Sequence, residues 1–404
     1  MLCNVELTHD EAAALNATKL LSATAASPGW TVTAAFAVGA LNVDGMIVRV
    51  QPKVGIVKIL QLLARAHGLR HLRLDDAHIG IDESGDLSTI LAALFAQEAA
   101  SAFASGPLRG YRTEDQSASV LRGKVRLRDQ ELRRFGLLVP LEVTVDEWTS
   151  DTDENRLIRA ACRRLLTLAG LPQKLHRRLL HTDRLLADVQ ILPPGVPLPA
   201  WTQTRLNTRL HQLLTLAEIV LKHASVEHRA GEVQVTGFIV PMERLFEDLV
   251  ARILGEQATE ARVSTQRTYR LGHSGQLNIR PDLVFLRDGV EVAVADTKYK
   301  ILNEKKKLRN EDAYQLITYC TRLNLKVGHL IYSVGADDKD DDIPRDHDIQ
   351  RSQIGLRVHR VDLKHSVAKL ESDIAQMGRV ILADHGHAPA ETALHGPPPK
   401  RGRD

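Results

Sequence analysis

The chain has 404 residues, 44% of them hydrophobic, which is enough for two or three domains that each bury a core. Its formal net charge of +3 excludes a globally polycationic protein, so any surface that binds nucleic acid must be a local patch. The three cysteines lie far apart without a paired motif, the first residues lack the basic and apolar regions of a secretory signal, and no run approaches the ~20 apolar residues of a membrane span. We therefore expect a reduced, cytoplasmic protein that makes no contact with a membrane.

Residues 1–150 mix short strand patterns with helix patterns and predict an N-terminal mixed α/β domain. The predicted strands are residues 30–40, 46–50 and 142–145. An amphipathic segment spans residues 11–21, and the predicted helices are residues 54–67 and 89–103. Residues 106–134 follow these helices and are rich in arginine.

From residue 152 the pattern changes to long helices, predicted at residues 155–168, 173–188 and 204–223. These helices predict a helical connector over residues 151–236, followed by a third domain over residues 237–382. The remaining residues, 383–404, are rich in His, Pro and Ala and are predicted to be disordered.

A hairpin in the third domain carries the clearest chemical signal. Residues 283–286 are continuously apolar, Asp288 and Gly289 form a strong turn signal, and the residues after the turn alternate with period two. The residues predicted to share one face of the second strand are Val290, Val292, Val294, Asp296 and Lys298. An apolar face that ends in a carboxylate and an ammonium is expensive to build unless the charges are used.

Together with Pro281 and Asp282, the sequence Asp296-Thr297-Lys298 matches the PD-(D/E)XK nuclease signature. In that signature two carboxylates hold Mg²⁺ and the lysine serves the attacking water, so the match predicts phosphodiester hydrolysis. The alternative is a hairpin with a surface salt bridge between Asp296 and Lys298.

A predicted helix upstream adds a candidate metal ligand. Apolar residues from Met242 to Leu254 recur at i, i+3 and i+4 spacing, which is typical of an amphipathic helix. Glu247 lies at the flank of this stripe, where a third carboxylate would reach a metal at the end of the hairpin. Glu243, one turn earlier, is the alternative to Glu247.

A predicted helix downstream, at residues 312–320, places Gln315 and Tyr319 on one face because they are four residues apart. The order is a helix with Glu, the PD strand, the D-x-K strand, and a helix with Q-x-x-x-Y, which is the layout of the nuclease core. We therefore predict an α/β (α+β) fold: a mixed N-terminal domain, a helical middle region, and a C-terminal PD-(D/E)XK core with a central mixed sheet flanked by helices.

Three further features bear on function. A basic cluster, made of Lys298, Lys300, Lys305, Lys306, Lys307 and Arg309, is either a set of phosphate contacts or a solvated loop. The acidic residues 337–342 lack the spacing and the glycine of an EF-hand and are predicted to be a solvated loop. The sequence has no G-x-x-x-x-G-K-[ST] motif, so we expect that this chain does not hydrolyse ATP or GTP by itself.

Beyond the hairpin, the chain resembles the McrC family, the nuclease subunits of McrBC modification-dependent restriction systems. The resemblance lies in seven blocks, in the order of the family: residues 48–60 (VRVQPKVGIVKIL), 121–123 (LRG), 151–156 (DTDENR), 237–247 (GFIVPMERLFE), 280–282 (RPD), 296–300 (DTKYK) and 312–315 (DAYQ). The PD-(D/E)XK motif alone is shared by many nucleases, whereas its combination with the LFE and N-terminal blocks is much more specific.

The resemblance implies a division of labour with a partner. A McrB-like AAA+ GTPase hexamer would read and translocate double-stranded methylated DNA, while the N-terminal part of this chain would dock into the ring, stimulate its GTPase, and leave cleavage to the C-terminal part. We expect residues 109–128 to make the ring contact. The long polar C-terminal tail and the low aromatic content of 4% depart from the family pattern, but neither affects the site residues.

The predicted site hydrolyses DNA with Mg²⁺ held by Asp282, Asp296, the Thr297 carbonyl and Glu247. Lys298 would orient the attacking water or stabilise the developing charge, and Gln315 and Tyr319 would support the site. Two alternatives remain: a stand-alone PD-(D/E)XK repair nuclease that cuts without a GTPase, and a non-catalytic activator of an AAA+ ring.

Overall fold

The computed structural model describes residues 2–17, 21–34, 36–43, 46–51, 54–69, 87–193, 195–223, 226–230, 233–272, 277–299, 309–334, 346–350 and 352–384. It mixes helices with sheets, as the sequence predicts. Contacts divide the chain into two compact units, Met1–Leu245 and Phe246–Asp404. Over the described ranges, every helix is too short or too polar to cross a membrane.

The first unit contains three sheets and seven complete helices within its described residues. Its strands are β1 (Leu2–Val5), β2 (Leu21–Ala25), β3 (Trp30–Ala34), β4 (Ala37–Val43), β5 (Met46–Val50), β6 (Gly110–Ala118), β7 (Lys124–Val125), β8 (Leu141–Thr149), β9 (Val226–Ala230) and β10 (Val233–Pro241). Its helices are α1 (His9–Ala17), α2 (Ile56–Ala66), α3 (Leu87–Ala102), α4 (Leu127–Arg134), α5 (Asp153–Leu166), α6 (Gln173–Leu185) and α7 (His211–His223). The strand orders are β1-β3-β2, β5-β4-β10-β9 and β6-β8-β7.

Strand β10 is separated from β4 in sequence by helices α2 to α7 but pairs antiparallel with it, so that Ile239 lies opposite Gly39. This approach requires glycine, because a Cβ at Gly39 would lie 2.0 Å from the Phe238 carbonyl oxygen. The predicted N-terminal domain and the whole of the predicted helical connector, residues 1–236, therefore lie in one unit. Residue 237, the predicted start of the third domain, lies within β10.

The prediction of one strand over residues 30–40 is wrong, because the structure has two strands, β3 and β4, in different sheets. Phe36 lies between them with a φ of 47°, in the left-handed region, so the extended backbone is interrupted there.

The helix predicted from residue 204 is also wrong in extent, because the chain first forms a 3-10 turn at Thr208–Leu210 and α7 begins at His211. The Asn207 side chain accepts a hydrogen bond from the Thr204 N–H at 2.9 Å and donates one to the Thr202 carbonyl at 2.8 Å. Such local bonds compete with a helical backbone.

The sequence block at residues 151–156 has a structural role at the start of α5. The Thr152 hydroxyl caps the helix by accepting the Asn155 N–H at 3.3 Å. The Asp151 carboxylate accepts hydrogen bonds of 2.7 and 2.6 Å from the Arg156 guanidinium, which lower the pKa of Asp151. The block therefore fixes the junction between β8 and α5.

The second unit is built on a six-stranded mixed sheet with the order β11-β14-β15-β16-β18-β17. Its strands are β11 (Arg262–Thr265), β12 (Tyr269–Arg270), β13 (Asn278–Ile279), β14 (Leu283–Arg287), β15 (Val290–Lys298), β16 (Val327–Val334), β17 (His347–Asp348) and β18 (Gly355–Asp362). Its helices are α8 (Met242–Gln257), whose first turn belongs to the first unit, α9 (Asn310–Leu323) and α10 (Val367–Asp384). Strands β15, β16 and β18 are parallel, and β12 and β13 form a separate two-stranded sheet.

Helix α9 connects β15 to β16 and packs closely on the sheet. A Cβ at Gly328 on β16 would lie 2.6 Å from Leu316 Cγ and 2.7 Å from Cys320 Sγ, so glycine allows this approach. The buried core around α9 includes Leu316, Cys320, Leu330 and Tyr332. Because β15 and β16 are parallel, their carboxyl ends lie at the same edge of the sheet, next to α9.

Candidate active site

The predicted hairpin is confirmed, with β14 and β15 paired antiparallel. Asp288 and Gly289 have φ angles of 52° and 83°, and a two-residue type I′ turn requires a positive φ at both positions. The pairing of Leu283 with Ala295 brings Asp282, just before β14, to the end of β15.

The predicted common face of β15 is only partly correct. The register of the hairpin shifts between Phe285 and Leu286, so the alternation does not extend back to the turn. Val290, next to the turn, is 62% exposed, whereas Val294 is fully buried.

Asp282 is held in place by the end of β15. Its Oδ2 accepts hydrogen bonds from the Thr297 N–H at 2.8 Å and the Thr297 hydroxyl at 2.9 Å. Its Oδ1 accepts a bond of 3.2 Å from Gln266 Nε2. The Thr297 carbonyl stays a predicted metal ligand.

Asp296 is the most unusual group of the site, because its side chain is 1% exposed and its Oδ1 has no hydrogen-bond partner among the described residues. An ion pair joins its Oδ2 to Lys298 Nζ. Burial and the nearby charge of Asp282 raise the pKa of Asp296 to about 7. A buried carboxylate with one oxygen left without a partner is costly, and a bound cation would offset that cost.

These residues fit a hard divalent cation. Asp282 and Asp296 provide adjacent carboxylates, and Mg²⁺ typically takes one or two protein carboxylates while it keeps several waters. The described ranges contain no preformed cluster of three or more His, Cys, Asp or Glu side chains suited to a metal. Glu247 accepts a hydrogen bond from Gln266 Nε2, the group that also contacts Asp282, and its role as a third ligand stays a prediction. Glu243, the alternative carboxylate of α8, is exposed, and no contact with Asp282 or Gln266 is described for it.

Lys298 is oriented by the helix that follows it. Its Nζ donates to Gln315 Oε1 at 3.0 Å, and Gln315 Nε2 donates to the Tyr319 hydroxyl at 2.6 Å. Burial acts to lower the pKa of Lys298, but the adjacent Asp296 carboxylate outweighs it and the pKa is raised. Lys298 is therefore a cation at neutral pH, and the predicted face of Gln315 and Tyr319 is the face turned to it.

Sequence reasoning missed Gln266, which follows β11 and links two of the predicted carboxylates. Its signal is conformational: its φ is 53°, in a region that residues other than glycine rarely adopt. No local pattern in the sequence predicts that conformation.

Several predicted features lie outside the described residues, namely Lys300, Lys305, Lys306, Lys307, the acidic residues 337–342 and the tail from residue 385. In the basic cluster, Arg309 is described and pairs with Glu311 at 3.0 Å. In the arginine-rich segment, Arg112 pairs with Asp151 and Arg126 with Glu142, so these two cations stabilise their own unit.

Comparison of the sequence with known proteins identifies a family. A family model described as McrBC 5-methylcytosine restriction system component matches residues 32–333, about three quarters of the chain. A search of curated proteins finds no match.

Among solved structures, a refined half-complex from a tetradecameric assembly of Thermococcus gammatolerans McrB AAA+ hexamers with bound McrC is 19% identical, with 94% of this chain and 91% of that chain covered and a TM-score of 0.56. A cryo-EM structure of the Thermococcus gammatolerans McrBC complex is 23% identical, with 58% of this chain and 70% of that chain covered and a TM-score of 0.39. The first of these likenesses shows a shared fold. On the match of the family model, this chain belongs to the McrBC family of 5-methylcytosine restriction system components.

Proposed function

We propose that this chain is the McrC-like endonuclease subunit of a GTP-dependent, modification-dependent restriction system, and that it hydrolyses DNA phosphodiester bonds with Mg²⁺. The observation that carries the proposal is the buried Asp296 carboxylate, which lies beside Asp282, pairs with Lys298 through Oδ2 and has no partner for Oδ1 among the described residues. A buried carboxylate with a strongly raised pKa is typical of a functional site, and binding of a cation would supply the function here.

Each side chain of the site has a separate task in this proposal. Mg²⁺, when bound, would lower the pKa of a water and neutralise charge on the transition state. Asp282 and Asp296 would bind the cation, with Thr297 holding the orientation of Asp282. Lys298, fixed by Gln315, would hold the attacking water or the phosphate oxygen that gains charge.

The partner in this proposal is a McrB-like AAA+ GTPase hexamer. The solved structure whose chain shares the fold is an assembly of McrB AAA+ hexamers with bound McrC. This chain would stimulate the GTPase of the ring, and the ring would supply double-stranded methylated DNA. The absence of a phosphate-binding loop from the sequence is consistent with that division.

We place the ring contact on an exposed apolar segment, residues 110–149. Helix α4 in this segment has no buried residue, and Phe135 and Leu138 are 90% and 82% exposed. The other large apolar side chains exposed in the segment are Tyr111, Val120, Leu121, Leu127, Leu132, Leu137, Val139 and Trp148. Exposed apolar surface of this extent is typical of a protein-binding site. The segment overlaps the predicted contact at residues 109–128.

The test is cleavage of a methylated plasmid with Mg²⁺ by this chain, with and without a McrB-like partner and GTP. Cleavage only when all are present, and its loss in Asp296→Ala, would support the proposal. Cleavage by this chain alone would favour a stand-alone nuclease, and GTPase stimulation without cleavage would favour a non-catalytic activator. The double variant Phe135→Asp and Leu138→Asp should abolish GTPase stimulation and leave metal binding unchanged.

A further inference from the structure

Gln266 occupies a constrained position next to the candidate metal site. Its φ of 53° is a conformation that L-residues other than Asn and Asp adopt only when their surroundings impose it. Two contacts impose it here: the Gln266 N–H donates to the Asp282 carbonyl at 3.1 Å, and the Gln266 carbonyl accepts a bond of 3.0 Å from Arg280 Nε. The backbone of Gln266 is therefore tied to the PD segment from both sides.

The amide of Gln266 is shared by two carboxylates from different elements. Its Nε2 donates to Asp282 Oδ1 at 3.2 Å and also to Glu247 Oε1 on α8. Two carboxylates this close to one another repel, and a neutral donor between them offsets the repulsion. A carboxylate oxygen that accepts one hydrogen bond still has a lone pair for a cation.

Gln266 also closes a chain of contacts around the site. Tyr319, which contacts Gln315, donates to the Arg280 carbonyl at 3.4 Å, and the Arg280 side chain reaches Gln266. The side that holds Lys298 and the side that holds the carboxylates are thus joined through residues 266 and 280. A residue at this junction affects the positions of the site side chains without taking part in the reaction.

We propose that Gln266 is a positioning residue that orients Asp282 and Glu247 toward the divalent cation. The inference rests on the proposed metal-dependent nuclease and names a residue that the PD-(D/E)XK signature does not contain. Hydrogen-bond partners of metal-binding carboxylates typically change metal affinity 10- to 100-fold when they are removed.

The test compares two substitutions of different character in the full-length chain. Gln266→Met keeps the approximate volume and removes the donor, and Gln266→Gly removes the side chain while favouring the positive φ. The matched control is Asn324→Gly, because Asn324 also has a positive φ, 54°, but caps the end of α9 away from the carboxylates. Asp296→Ala reports on the metal site itself.

Binding of Mn²⁺ alone is measured calorimetrically, without DNA, partner or nucleotide, and hydrogen exchange of residues 283–298 locates the bound ion. Both Gln266 variants should bind Mn²⁺ about 10- to 100-fold more weakly than the unsubstituted chain. The Asn324→Gly variant should bind normally.

Normal Mn²⁺ affinity in both Gln266 variants, together with its loss in Asp296→Ala, would overturn the role of Gln266 and leave the proposed function intact. Equal binding by the unsubstituted chain and Asp296→Ala, with no protection of residues 283–298, would overturn the metal site and the inference with it. Because binding is measured directly, a variant with lowered stability is still informative as long as its circular dichroism spectrum is unchanged.

Discussion

Replacing Asp296 with asparagine should change how the stability of the metal-free protein depends on pH. Burial and the charge of Asp282 raise the pKa of Asp296 to about 7 in the folded chain, against an ordinary value of 3.8. Between these two pKa values, the folded state therefore keeps a proton on Asp296 that the unfolded state releases. The contribution of this group is fully present below pH 3.8 and is lost as the pH rises through about 7.

The expected effect is large because a difference of about 3 between the two pKa values corresponds to about 4 kcal/mol. The free energy of unfolding of the metal-free chain should fall by up to about this amount between pH 4 and pH 8. In Asp296→Asn the contribution is absent, since asparagine does not titrate. The difference between the two proteins isolates Asp296, because other groups, such as the buried histidines, contribute to both.

The assay must report on the second unit, and tryptophan fluorescence does not, because Trp30, Trp148 and Trp201 all lie in the first. Pulsed thiol labelling in urea and EDTA is suitable instead: Cys320 is buried in the second unit and Cys162 in the first. Mass spectrometry of the labelled peptides then follows the two units separately. Each pulse is given at one fixed pH, so that thiol reactivity is constant.

Asp288→Asn is the matched control, since it makes the same chemical change in the exposed turn of the same hairpin, where asparagine is also favoured. Its stability should follow the pH dependence of the unsubstituted chain. If Asp296→Asn also follows that dependence, so that the labelling curves of Cys320 are parallel from pH 4 to pH 8, the reasoning from the burial of Asp296 is refuted.

Three other changes test the surroundings of the site. Gly328→Ala should destabilise the second unit by about 1–3 kcal/mol, because the new Cβ would lie 2.6 Å from Leu316 Cγ, and less-than-additive losses in a double variant with Leu316→Ala would confirm that cause. Gln315→Ala should slow cleavage about 10- to 100-fold and leave the Mn²⁺ affinity normal, because the Gln315 side chain orients Lys298 and not the carboxylates. A loss of Mn²⁺ affinity as large as the loss of cleavage rate would contradict this role. His329→Leu should reduce the loss of stability between pH 7 and pH 5. Burial lowers the pKa of His329 well below 6.5, so that only the unfolded chain takes up the proton in this range. If thiol labelling showed the same loss of stability in the variant and the unsubstituted chain, this prediction would be wrong.

The sequence alone determined those features of the site that depend on local pattern. Turn chemistry at Asp288 and Gly289 specified the hairpin, and i, i+4 spacing placed Gln315 and Tyr319 on one face of α9. Both signals arise between residues a few positions apart, so no knowledge of the rest of the chain is needed to read them. The fold class, and the order of α8, β14, β15 and α9 around the site, followed from the same kind of signal.

The tertiary structure alone decided the features that depend on residues distant in sequence. The pairing of β10 with β4 joins residues 239 and 39, and the register of the hairpin shifts between Phe285 and Leu286. Gln266 lies between Asp282 and Glu247 only because its backbone takes a positive φ that the fold imposes. The burial of Asp296, and hence its raised pKa, likewise arises from strands and helices that surround it, and no single strand pattern contains that information.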